Sequence, residues 1–144
     1  MDSDLREQAV EVATALRALT RRFSVIDTED PMSDLPVAQL RVCGILQNGP
    51  RTMSALSKEL GISLSAVTQI ADRLEKSQLM ERVVEPADHR MKHLQLTLRG
   101  REVVEARISK RVERVLDALK RLPPEERGIV VRGLQVLLDA SSGG

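Results

Sequence analysis

The 144-residue sequence predicts a mainly α-helical chain with one small β-hairpin, on three observations. Apolar residues recur in alternating steps of three and four over most of the chain, a spacing that keeps them on one face of a helix. Pro and Gly punctuation at Pro31, Pro36, Gly49-Pro50, Gly61 and Pro123-Pro124 cuts that pattern into helix-length pieces. Only around residues 79–97 does the period change to two.

The elements follow in order. Leu5, Ala9, Val12, Leu16, Leu19, Phe23 and Ile26 form one stripe of a long helix, which ends before Asp30-Pro31 because proline disfavours helix in the residue before it. A second helix starts at Pro36 and runs to Asn48, with Val37, Leu40, Cys43 and Leu46 or Gln47 expected on its inner face. Thr52 caps a short helix carrying Met53, Leu56 and Leu60, which Gly61 stops. Ser63 caps the next, which buries Val67, Ile70 and Leu74 and leaves Leu64, Ser65, Ala66, Thr68, Gln69 and Arg73 on other faces. Leu79–Glu85, a turn at Pro86–His89 and Lys92–Thr97 read as the hairpin. Residues 98–121 return to helix with Val104, Ile108, Val112, Val115, Leu119 and Leu122 as the stripe, and a last helix spans about 125–139. A Ser-Ser-Gly-Gly tail over 141–144 is expected to be disordered.

Composition narrows the function. Hydrophobic residues make 42% and charged residues 30%, ordinary for a soluble globular chain. With one Phe and no Tyr or Trp, the chain lacks the aromatic platform on which single-stranded nucleic acid stacks, so a nucleic-acid partner would be duplex. The lone Cys43 and the absence of an opening signal segment point to a cytoplasmic setting, and no apolar run is long enough for a membrane span. No phosphate loop, nucleophile elbow or paired carboxylates suggest an enzyme, and no cofactor is implied. Residues 1–50 carry 5 Lys/Arg against 8 Asp/Glu, whereas residues 51–100 carry 8 against 6 and residues 101–144 carry 9 against 7.

Two short helices joined at Gly61, with a hairpin directly after the second, have the connectivity of a winged helix-turn-helix. Ser57 is small where the helices must approach, Gly61 supplies the turn, and Val67 plugs the joint. At this point the chain resembles the MarR family of bacterial transcription regulators. The resemblance lies in Met53–Ser63, Asp72-Arg73-Leu74-Glu75-Lys76, Glu81-Arg82, Asp88-His89-Arg90 and Leu96-Thr97-Leu98-Arg99-Gly100. It departs at Gln78, where the family usually has Gly, and in the scarcity of aromatics, which argues against a flat aromatic-lined ligand pocket.

The resemblance implies a winged helix-turn-helix core at 33–100, flanked by an N-terminal dimerisation helix at 1–30 and C-terminal dimerisation helices at 101–140. It also implies a homodimer that binds double-stranded DNA at a pseudo-palindromic operator, commonly as a repressor relieved by a small-molecule effector. The DNA-binding residues expected on this footing are Ser63, Ser65, Ala66, Thr68, Gln69, Arg73, Arg82, Asp88, His89, Arg90 and Lys92. Ser65, Thr68 and Gln69 fall where side chains face the groove, and Arg90 falls at the hairpin tip, with Asp88 orienting its guanidinium or accepting turn N–H bonds. Arg73 can contact a phosphate or pair with Glu75 or a wing acid. Arg51, Lys58 and Lys76 read as ordinary solvated charges. Cys43 reads as core packing rather than a redox sensor, and His89 and His93 lack the further ligands of a metal site. A winged domain can also serve as a protein-interaction adaptor; weak, salt-sensitive binding to random duplex separates the two readings.

Overall fold

The computed structural model describes residues 2–24, 29–88 and 90–142. Its elements are α1 (Asp2–Phe23), α2 (Val37–Gln47), β1 (Arg51–Thr52), α3 (Met53–Leu60), α4 (Leu64–Lys76), β2 (Met80–Val84), β3 (Lys92–Leu96), α5 (Leu98–Lys120) and α6 (Pro124–Ser141). Apart from β1, the order and type match the sequence reading. Ile26 lies outside the described residues, and α6 runs through Ser141, so the expected tail gives up its first residue to the helix.

The chain divides into two compact units. The unit spanning Ile26–Ile108 holds α2 through the first half of α5 and contains the hydrophobic core, in which Met32, Val42, Cys43, Leu46, Leu56, Val67, Ala71, Leu74, Leu79, Met80, Leu94, Leu96 and Val104 are buried. The other, Met1–Val25 with Ser109–Gly144, contains α1, the rest of α5 and α6, and neither α1 nor α6 buries a residue.

The hairpin belongs to a three-stranded antiparallel sheet of order β1-β3-β2. Met80 pairs with Leu96 and Arg82 with Leu94, while β1 adds Arg51 opposite Leu94 on the far side of β3. β1 is two residues long, too short to leave a period-two signal, and was not expected. Two inner-face expectations need correction. Val37 is exposed, whereas Cys43 and Leu46 are buried as expected and Leu40 packs against the core, and α2 buries Gln39 and Val42 besides. Counting in threes drifts around a 3.6-residue turn, so that Val37 and Leu46, nine residues apart, end on opposite sides. In α4 the fully buried set is Val67, Ala71 and Leu74, and Ile70 only packs against its edge.

Candidate nucleic-acid interface

The joint between α3 and α4 is built from local bonds. Thr52 Oγ1 accepts from the Ala55 N–H at 3.1 Å and Ser63 Oγ from the Ala66 N–H at 3.1 Å, so each helix begins on a side-chain cap. α3 ends in a Schellman turn: Gly61 at φ 66° lets its N–H reach Lys58 O and the Ile62 N–H reach Ser57 O. Ser57 does more than leave room, because its hydroxyl donates to Ile62 O at 2.5 Å and ties the helix to the turn.

α4 ends in the same motif without a glycine. Gln78 adopts φ 62°, its N–H reaches Glu75 O, and the Leu79 N–H reaches Leu74 O, with Leu74 and Leu79 both buried. The turn requires a left-handed residue, and Gln accepts the strain. The next segment is clasped from the exit of the hairpin. The Thr97 hydroxyl donates to Gln78 O at 2.7 Å and accepts from the Gly100 N–H at 2.9 Å, while the Thr97 N–H reaches Leu79 O. A Cβ on Gly100 would lie 2.0 Å from Leu79 O, so only glycine lets α5 start this close to the end of α4.

A second clasp joins β2 to α4. Arg82 donates to Asp72 Oδ1 at 2.6 Å and to Glu75 Oε1 at 3.1 Å, and the Asp72 bond raises the pKa of its guanidinium. Arg82 is thus engaged within the protein, and its visible role is to position the wing against α4. The clasp also offsets the two carboxylates of this face. Among the described residues no carboxylate pairs with Arg73, Lys76, Arg90 or Lys92. Of the two options left open for Arg73, pairing with Glu75 is therefore not the one adopted; Arg82 takes that carboxylate. Arg51 is likewise engaged, by Glu59 and by the carbonyls of Gly49 and Pro50.

Ser65, Thr68, Gln69 and Arg73 are exposed on one side of α4, Ser63 is exposed with its Oγ accepting the cap bond, and Ala66 is half-buried. At the wing, Glu85 N–H to Met91 O and Met91 N–H to Asp88 O close the loop, and Asp88 Oδ1 accepts from the Arg90 N–H at 3.0 Å. Of the two functions foreseen for Asp88, the geometry has it fixing the turn backbone. Arg90 is exposed at the tip, Lys92 is exposed at the start of β3, and His89 lies outside the described residues. His93 faces Glu85 at 3.5 Å. Cys43 is buried, and desolvation pushes its thiol from 9.0 to about 11, with Arg107 offsetting part of the rise. The sequence reading missed the Arg82, Thr97 and Gly100 contacts, whose only signal was that these residues stand in the segments that carry the resemblance.

The comparisons with known proteins agree with this geometry. A sequence profile of the MarR family matches residues 33–91. The HTH-type transcriptional regulator YfiV of Bacillus subtilis is 32% identical over 105 residues, covering 72% of this chain and 66% of that protein. The chain spans between 61% and 66% of the length of the curated relatives it matches. A MarR-like transcriptional regulator from Thermotoga maritima superposes with a TM-score of 0.79 at 27% identity, over 94% of this chain and 98% of that one. Streptococcus pneumoniae FabT, solved in complex with DNA, shares the fold with a TM-score of 0.73 at 22% identity, over 99% of this chain and 98% of that one. With the profile lying across the joint and the wing, and the superpositions spanning nearly all the helices, the chain belongs to the MarR family of winged helix-turn-helix transcriptional regulators.

Proposed function

We propose that the chain is a sequence-specific regulator that binds duplex DNA as a homodimer, with α4 in the major groove and the 85–91 wing tip in the adjacent minor groove. The observation that carries this reading is the pairing of an exposed side of α4 that bears Ser65, Thr68 and Gln69, its carboxylate Asp72 held by Arg82, with an Arg90 that no carboxylate among the described residues pairs, on a tied wing loop. Hydroxyl and amide groups suit base edges and phosphates, and a long cation suits the negative potential of a narrow minor groove. Arg73, Lys76 and Lys92 would add phosphate contacts around this footprint. FabT, which shares the fold, was crystallised with DNA. The exposed apolar stripes of α1 and α6 support a dimer, and a two-fold dimer calls for a pseudo-palindrome with half-sites about 10 bp apart. Repression relieved by a small effector is the mode the family resemblance suggests; it rests on that resemblance alone.

The test is duplex binding as a function of salt. Affinity should fall steeply as salt rises, and Arg90→Ala should weaken binding by about 1 to 3 kcal/mol per contact and lower the salt slope by roughly one per protomer. Asp88→Ala should act in the same direction although it removes a negative charge, because it frees the turn. No binding to random duplex at low salt would favour the adaptor reading, and an unchanged slope for Arg90→Ala would remove the wing from the interface.

A further inference from the structure

Resting on that reading, we infer that α4 reads A·T base pairs, through an apolar ridge that meets thymine methyl groups and an amide that meets adenine. From Ser63 to Asp72 the sequence has no Lys or Arg, so the outward side of the first turns lacks the fork that recognises the paired acceptors of guanine. Arg73 stands eight residues beyond Ser65, about 12 Å along the axis, whereas recognition helices read bases near their N-termini.

Two adjacent ridges occupy the outward side. Leu64 is 53% exposed and Thr68 follows four residues later on the same face. The Thr68 hydroxyl donates to Leu64 O at 2.9 Å, which spends its proton on the backbone and leaves its γ-methyl as the group offered outward. An exposed leucine alone would be unremarked surface. Beside a turned-in threonine it makes a continuous apolar strip on a helix otherwise suited to a groove. The second ridge carries Ser65 and Gln69, and the Gln69 amide holds a donor and an acceptor on separate atoms, which matches the paired N6 and N7 of adenine. The wing adds the same bias, since A-tracts narrow the minor groove that Arg90 would enter.

The experiment begins with selection of bound duplexes from a random pool by the full chain. The enriched half-sites should carry A·T pairs at the major-groove positions. Replacing their thymines by deoxyuridine deletes only the C5-methyl and should weaken wild-type binding about fourfold per methyl, roughly 15-fold when one position is changed in both half-sites. Replacing the adenine by 7-deazaadenine should cost about tenfold, and Gln69→Met should abolish that cost. Thr68→Ser keeps the hydroxyl bond and removes the methyl. Combined with Leu64→Ala it should reduce the deoxyuridine effect to less than twofold.

Wild-type indifference to deoxyuridine at a selected site, or enrichment of G·C pairs at the major-groove positions, would overturn the inference while leaving DNA binding intact. Salt-steep binding without any enriched sequence would also overturn it. Absence of duplex binding would instead remove the proposed function beneath it.

Discussion

The 26–108 unit and the helical unit formed by residues 1–25 and 109–144 share one kind of sequence pattern and show opposite burial. Leu56 and Leu74 in the first are completely shielded, whereas Leu5 at the start of α1 and Leu138 near the end of α6 are 66% and 61% exposed. All four sit on amphipathic helices. A periodic apolar stripe states that a helix has an inside; it does not state which molecule supplies the other wall. For α3 and α4 the sheet and neighbouring helices of the same unit supply it. For α1 and α6 no described residue does so fully, and a partner that covers these faces is the proposal above.

The sharpest way to break this contrast is to remove the apolar stripe of α1. Replacing Leu16 and Leu19 with Lys should convert the protein to monomers or unfold it, measured by light scattering. A wild-type protein that stays monomeric and folded at micromolar concentration would show that the exposed face needs no partner copy.

Glycines sharpen the contrast at the level of single atoms. Gly100→Ala forces a Cβ onto Leu79 O and should cost about 3 kcal/mol in urea unfolding. Gly128 in α6 has nothing near the equivalent Cβ position, so Gly128→Ala should stabilise by about 0.5 to 1 kcal/mol through helix propensity. A loss of stability at Gly128 would instead report a second copy pressed close to it.

Cys43 tests how dry the core of the 26–108 unit is. Its thiol is raised from 9.0 to about 11 chiefly by desolvation, so the folded form holds its proton where the unfolded chain releases it. Its contribution to stability is therefore complete below pH 9.0 and lost progressively as pH rises to about 11, a slope that Cys43→Ala should lack in urea titrations. Alkylation of the native thiol near pH 7 should be slow, and rapid labelling would mean that the site opens. An effect as small as that of Gly128→Ala is expected at Gln78. Replacement by Gly should relieve the left-handed strain and stabilise by about 0.5 to 1 kcal/mol, read as a shifted denaturation midpoint.

Helix number, helix order and the hairpin were legible in the sequence because each depends on short-range rules. Thr52 and Ser63 were readable as caps and Gly61 as a stop from identity and position alone. Most of the outward-facing residues of α4 were readable for the same reason, since the buried positions on a 3.6-residue period determine which others face out. Leu64, Ser65 and Thr68 exposed and Val67 buried follow from that geometry.

What the tertiary structure decided are the relations across distance. The strand at Arg51–Thr52 exists only because β3 offers it an edge, and two residues carry no period of their own. Arg82 looked like a cation available to DNA, yet Asp72 and Glu75 are ten and seven residues away in the chain and close only once β2 packs beside α4. Gly100 could be recognised as part of a motif, but its necessity depends on a carbonyl 21 residues earlier that the fold brings within a Cβ's reach. The sequence by itself thus determined which faces exist and where each helix begins and ends, because those properties are set within a turn or two of backbone. Which side chains are spent on one another, and which are left for a partner, required the packed chain, because those pairings depend on distances that no local period encodes.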